Sequence, residues 1–216
     1  AYKATIEAMD LAVGEIMEEL KKTGLDKHTF VFFTSDNGPA HVGSCYPYRG
    51  RKSNLYEGGT RVPAIAYWKE KIKPGQVSDE FLSTMDIFPT LVGILVNKPP
   101  YQIDFDGVDF SDVLFMNKAL PERIVFWEKP VGVDMNNFHI RREAVRKGKW
   151  KLIRERTGKS LELYDLAIDT AEENNIAENN PEIVEDLSQE FLSWKKEVYN
   201  DAPLSLEEMI HYLENH

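Results

Sequence analysis

The chain has 216 residues, enough for one large or two small domains around a real hydrophobic core. Its hydrophobic fraction of 42% and aromatic fraction of 11% are those of globular proteins, and no apolar run reaches the length of a membrane span. A net charge of -10 argues against a general binder of nucleic acid or of anionic membranes, while leaving open an anionic substrate that answers to the local field of a pocket.

The single cysteine, Cys45, excludes an internal disulfide and any cysteine-cluster metal site. No signal segment is visible, but the chain opens inside a helical pattern, so its location is not legible. The absence of an N-x-Ser/Thr acceptor leans away from a glycosylated lysosomal enzyme.

In chain order, Ile6, Met9, Val13, Ile16, Met17 and Leu20 recur at helical spacing and predict a helix over residues 2–22 that covers a sheet. Glu18 and Lys22 are expected to pair on its wet face, and Gly24 to stop it. The run Phe30-Val31-Phe32-Phe33-Thr34 is aromatic and β-branched without polar alternation, which predicts a strand buried on both faces. It ends in Ser35-Asp36-Asn37-Gly38-Pro39, a turn sequence at the carboxyl end of a strand, where open α/β sheets place ligands. Asp36 and Asn37 offer hard oxygen donors suited to Ca²⁺ or Mg²⁺; they equally suit a simple turn. His41 lies in the following loop, where it either touches substrate or is an ordinary exposed histidine.

A basic block follows: Arg49, Arg51 and Lys52, then Glu57-Gly58-Gly59 and Arg61. Cations at such density either stabilise an anionic substrate or form a solvated turn. Glu57 and Arg61 read as structural, with Glu57 satisfying turn amides or pairing with Arg61. Gly58 and Gly59 read as a close backbone approach or a positive φ.

Residues 62–68 predict a second buried strand, and Lys73-Pro74-Gly75 a turn. Asp86 reads as the N-cap of a helix with Pro89 in its first turn, rather than as a metal ligand. Residues 97–122 read as a solvated connector, their acidic residues lacking EF-hand spacing. A second unit is expected from residue 121. It has strands at 123–127, 142–146, 150–154 and 162–165, the middle pair forming a hairpin about Lys147-Gly148-Lys149. A helix over 181–199 carries Ile183, Val184, Leu187, Phe191, Trp194 and Val198 on one face. Trp150 and Trp194 read as core. Ser205-Leu206-Glu207-Glu208 is a capping box before a last short helix.

Taken together, F-T-S-D-N-G followed by R-G-R-K-x-x-x-Y-E-G-G-x-R-V-P closely resembles the type I sulfatases, nearest the bacterial arylsulfatase and N-acetylgalactosamine-6-sulfatase-like branch. A-V-R-K-G-K-W-K-L-I and E-L-Y-D-L resemble the small C-terminal domain of that family. The resemblance implies an α/β fold: residues 1–120 as the C-terminal part of an alkaline-phosphatase-like mixed-sheet sulfatase domain, and 121–216 as a small α+β unit with an antiparallel sheet and a packed helix. It further implies a Ca²⁺-dependent sulfuric ester hydrolase acting on sulfated glycans or aryl sulfates, in a periplasmic or extracellular setting. Asp36 and Asn37 would be metal ligands, and Lys52 the lysine that contacts sulfate.

The family's nucleophile is a formylglycine made from the cysteine of C-x-P-x-R. Cys45-Tyr46-Pro47-Tyr48-Arg49 satisfies that pattern formally. It is not assigned as the precursor, because the family's signature lies upstream of S-D-N-G and opens a helix. The Asp-Asp pair that completes the Ca²⁺ shell in sulfatases also has no counterpart here. The 216 residues alone are therefore expected to be inactive. Two other readings remain at this point. One is a metallo-phosphoesterase of the same superfamily, and the other is a non-catalytic binding or degenerate domain.

Overall fold

The computed structural model describes residues 1–40, 42–96, 104–129, 142–155 and 160–199. His41 and the Ser205 capping box lie outside the described residues. The chain divides into two compact units: Ala1–Ser44 with Arg61–Pro121, and Cys45–Thr60 with the described residues from Glu122 onward. The sixteen-residue stretch that carries Lys52 thus packs with the C-terminal sheet, as a detour from the first unit.

In the first unit, helix α1 spans Tyr2–Thr23 and ends at Gly24 in the left-handed conformation, φ 74°. Lys22 pairs with Glu19 at 3.5 Å, one position away from the expected Glu18. Strand β1 (Val31–Thr34) pairs antiparallel with β2 (Ala64–Tyr67), Val31 opposite Tyr67 and Thr34 opposite Ala64. The expected burial of both strands is not met. Every β1 residue is half-buried, and β2 is largely exposed. α1 likewise buries no residue, so it does not provide the expected cover. The physical reason is that a two-stranded ribbon has only one neighbour per strand and, among the described residues, one partly covered face.

What core the first unit has comes from the stretch expected to be a connector. Ser111–Met116 forms helix α4, and Phe110, Val113 and Leu114 are buried against Phe30, Phe32, Ala66 and Leu120. The i, i+3, i+4 spacing of those three residues is the reason this segment folds inward. Helix α3 spans Ile87–Leu95. Asp86 stands at the N-cap position of α3 as expected, but its side chain makes no cap bond there; it is the third residue of a capping box opened by Ser83, whose backbone N–H donates to its carboxylate at 2.6 Å. Its other oxygen accepts from the Val108 N–H at 2.9 Å. The aspartate is fully buried, so its role is to tie two loops together.

The second unit is a four-stranded antiparallel sheet in the order β3 (Ile124–Lys129), β4 (Arg142–Lys147), β5 (Trp150–Glu155), β6 (Leu161–Asp165). The β4–β5 hairpin closes with Lys147 opposite Trp150, and Gly148 takes the left-handed φ of 55° that the two-residue turn needs. Helix α5 (Pro181–Val198) lays Leu187 and Phe191 on one face of the sheet, against Val145, Leu152 and Leu163. Trp150 and Trp194 pack at the margin of that cluster, as expected of core residues. The opposite face carries Ala144, Ile153 and Tyr164 and is covered by Leu55 and Tyr56 from the 45–60 stretch. Among the described residues, no helix is long and apolar enough to cross a membrane.

Candidate functional site

Asp36 and Asn37 form a bend immediately after β1. Thr34 donates its hydroxyl to the Pro63 carbonyl at 3.0 Å, tying the end of β1 to the entry of β2. Ser35 donates its hydroxyl to the Asn37 carbonyl at 3.0 Å and so closes the bend. Asp36 is exposed, and its carboxylate has no hydrogen-bond or ion-pair partner among the described residues. The two side chains are hard oxygen donors of the kind Ca²⁺ takes, but two donors are a fraction of the six to eight such an ion needs. Among the described residues, no group of three or more His, Cys, Asp or Glu side chains could hold a metal ion.

The turn bearing Lys52 is built in the second unit. The Asn54 N–H donates to the Arg51 carbonyl at 2.9 Å, and the Arg51 N–H to Asn54 Oδ1 at 3.1 Å. Lys52 and Ser53 are the two central residues of this turn. Ser53 takes φ 75°, the left-handed region that usually calls for glycine at the third turn position; a side chain there costs about 1–2 kcal/mol. Lys129 on β3 donates its ammonium to the Ser53 carbonyl at 3.0 Å. The Lys52 side chain is exposed and has no hydrogen bond or ion pair to the described residues.

The Glu57-Gly58-Gly59 motif explains itself by close approach. These residues open the single-turn helix α2, Glu57–Thr60. A side chain at Gly58 would overlap the Arg49 carbonyl, and one at Gly59 the Asn54 carbonyl. The Gly58 N–H donates to that same Arg49 carbonyl at 2.7 Å. Glu57 is buried, and its carboxylate accepts from Lys151 at 2.9 Å, with Arg146 3.9 Å away. Lys151, fully buried, also stands 3.0 Å from Glu172, and Glu172 accepts the Glu57 backbone N–H. Burial pushes the Glu172 carboxyl above its ordinary value, with Lys151 pulling the other way.

Arg49 is equally committed. Its guanidinium lies 4.0 Å over the Tyr56 ring and donates to the Tyr164 hydroxyl at 2.9 Å and to the Glu172 carbonyl at 3.0 Å. The Tyr164 hydroxyl in turn donates to Glu162 at 2.6 Å; burial first, and that carboxylate second, hold it far above the usual phenol range. Cys45 donates its thiol to the Gly50 carbonyl at 3.0 Å. Residues 46–49 form turns instead of starting a helix, in keeping with a structural thiol at this position.

Sequence reasoning singled out Asp36, Asn37, His41 and Lys52 but not Lys129, Lys151, Glu162 or Glu172. A lysine between Trp150 and Leu152 reads as a solvent-facing residue of an amphipathic strand. Here the face it occupies is covered by Leu55 and Tyr56. The faint signal was the conjunction of a lone acidic residue in a glycine-rich turn with cationic residues in the strands.

Comparison with known proteins bears on both units of the chain. The Sulfatase family matches residues 1–97, and the family described as N-sulphoglucosamine sulphohydrolase, C-terminal, matches residues 50–197. An N-acetylgalactosamine-6-O-sulfatase of Bacteroides thetaiotaomicron is 32% identical over 209 residues, covering 84% of this chain and 39% of the relative. A solved structure from work on the metabolism of multiple glycosaminoglycans by that organism is 30% identical, with a TM-score of 0.68 over 86% of this chain and 42% of its own. A protein solved with its substrate D-glucosamine-2-N,6-O-disulfate shares the fold, with a TM-score of 0.76 at 24% identity over 94% of this chain and 41% of its own. The chain thus spans about two fifths of the length of these proteins. Its fold is that of the C-terminal part of an alkaline-phosphatase-like sulfatase, and the chain belongs to the sulfatase family.

Proposed function

We propose that this chain forms the C-terminal portion of a calcium-dependent sulfuric ester hydrolase acting on sulfated glycans or aryl sulfates. The observation that carries the reading is the turn around Lys52, which holds an uncommitted cation on a backbone fixed by the Arg51–Asn54 hydrogen bonds and by Lys129. Nothing in its own unit uses that ammonium among the described residues. An ammonium so displayed suits the developing charge on sulfate oxygens during transfer to a nucleophile. Asp36 and Asn37 would contribute two of the oxygens that hold Ca²⁺, whose charge, when bound, neutralises the sulfate ester.

The nucleophile is a formylglycine supplied outside these 216 residues. Cys45 is not its precursor in this reading, which the thiol's hydrogen bond to the Gly50 carbonyl supports. The named substrate of the Bacteroides relative makes N-acetylgalactosamine 6-sulfate the first ester to try.

The test uses a polypeptide that carries this chain together with an upstream sulfatase region. Sulfate release from N-acetylgalactosamine 6-sulfate and from an aryl sulfate is followed with Ca²⁺ and with chelator. Asp36→Ala and Asn37→Ala are expected to abolish the response to Ca²⁺. Lys52→Ala is expected to lower kcat/KM by about 10²-fold, the cost of one lost electrostatic stabiliser. Peptide mass analysis is expected to find formylglycine upstream and an unmodified Cys45. Turnover indifferent to all three substitutions, or formylglycine at Cys45, would overturn the reading.

A further inference from the structure

The lysine turn is gripped by residues far along the chain. The Lys129 ammonium reaches the Ser53 carbonyl across 76 residues of sequence, and Lys151 reaches Glu57 across 94. These two contacts bracket Lys52. One holds the carbonyl of the residue next to it, and the other holds the start of α2, three residues after the turn ends. Because the exposed Lys52 side chain makes no hydrogen bond or ion pair with the described residues, the backbone of the turn is what fixes where that side chain starts. That backbone includes Ser53 in a conformation that a free chain avoids, and such a conformation persists only where neighbours over-determine it.

We propose that Lys129 and Lys151 are positioning residues, through which the C-terminal sheet aims Lys52 at an anionic sulfate oxygen. This rests on the functional reading above. The two lysines act in different ways. Lys129 fixes the strained carbonyl directly by a charge-assisted hydrogen bond. Lys151 is fully buried between Glu57 and Glu172, and Glu172 also takes the Glu57 backbone N–H. Removing Lys151 leaves two facing carboxylates with one cation fewer between them, and their repulsion moves the start of α2. Neither lysine touches substrate; each acts by keeping the Lys52 backbone within reach of the ester, where a displacement of about 1 Å costs up to about 10²-fold in rate.

The experiment is a double-mutant cycle in the active polypeptide described above. Lys129→Met and Lys151→Met are each combined with Lys52→Ala, and kcat and KM are measured with N-acetylgalactosamine 6-sulfate. In the parent, each methionine variant is expected to lower kcat/KM by about 5- to 30-fold. In the Lys52→Ala background, each is expected to change it less than about twofold, because the residue it positions is gone. Lys129→Arg, which can still donate to the Ser53 carbonyl, is expected to retain most activity.

Lys129 lies on a partly exposed strand position, so its variants remain informative if Lys151→Met fails to fold. Losses equal in both backgrounds, or no loss in the parent, overturn the proposal while leaving the sulfatase reading intact. A parent without turnover, or one indifferent to Lys52→Ala, overturns the sulfatase reading and this proposal with it.

Discussion

A methyl group at position 59 would overlap the carbonyl oxygens of Asn54 and Arg51. Both are backbone atoms of the turn that carries Lys52, so neither can move aside as a side-chain end would. Gly59→Ala is therefore expected to destabilise the second unit by about 1–3 kcal/mol, read as a lower urea midpoint. Gly75→Ala is a contrast in space alone: a methyl group there would meet nothing within 4 Å, although the φ of 72° carries its own backbone strain.

Two carboxylates give stability dependences of opposite sign. Lys149 donates to Asp165 at 2.6 Å and holds its carboxyl below the ordinary value of 3.8. The folded state then binds fewer protons than the unfolded one. The stabilisation is fully present above the unfolded value and is lost as pH falls through the lowered one. Glu172 is raised instead, chiefly by burial, so its contribution is greatest below its unfolded value and is lost as pH climbs through the folded one. Urea midpoints measured from about pH 3 to about pH 7 are expected to lose part of their acid-side slope in Asp165→Asn. An unchanged slope would mean the ion pair with half-exposed Lys149 is screened out.

At the scale of elements, α5 and the sheet beneath it were legible because their patterns agree at every level. The 3.6-residue spacing put Leu187 and Phe191 on one stripe, and that stripe is the one buried. Phe126 stacks on Trp194 at 4.8 Å, and Phe191 packs edge-on to Phe126 at 6.0 Å. Phe191→Ala is expected to cost about 3–5 kcal/mol, measured by urea unfolding followed through Trp194 fluorescence. Leu192→Ala, at a position 52% exposed, is expected to stay within about 0.5 kcal/mol.

The illegible parts failed for physical reasons. Asp104, Asp106 and Asp109 made residues 97–122 look solvated, yet three apolar residues at helical offsets outweighed them and formed α4. Lys151 could not be read as buried, because one carboxylate facing it, Glu57, stands 94 residues away and the other, Glu172, lies beyond the next strand. The bend at Asp36 and the turn at Lys52 were visible as motifs, since turn chemistry is written in adjacent residues. What holds the second of them in place is written in strands much further along.

On the scale of the whole molecule, the two units differ in how well they bury their apolar residues. The second encloses Val145, Leu152, Leu163 and Phe191 completely. The first leaves Ile16 61% exposed and Ile6 and Met9 43% each, all on one stripe of α1, and no residue of that helix is buried. Single exposed apolar residues are ordinary, but several on one helix of a unit with an open strand ribbon make an adhesive surface. Produced alone, residues 1–216 are therefore expected to bind a hydrophobic dye and to self-associate at micromolar concentration. Met9→Lys with Ile16→Lys is expected to lower both without lowering the urea midpoint, because both side chains are exposed on the same face.

In a polypeptide with the upstream sulfatase region, that region would cover this stripe if it docks on α1. The same pair of substitutions is then expected to destabilise the protein, by about 2 kcal/mol or more as two apolar contacts are replaced by charges. A chain that stays monomeric and dark to the dye would show that the surface needs no cover. A longer protein indifferent to the two lysines would show that the upstream region lies elsewhere.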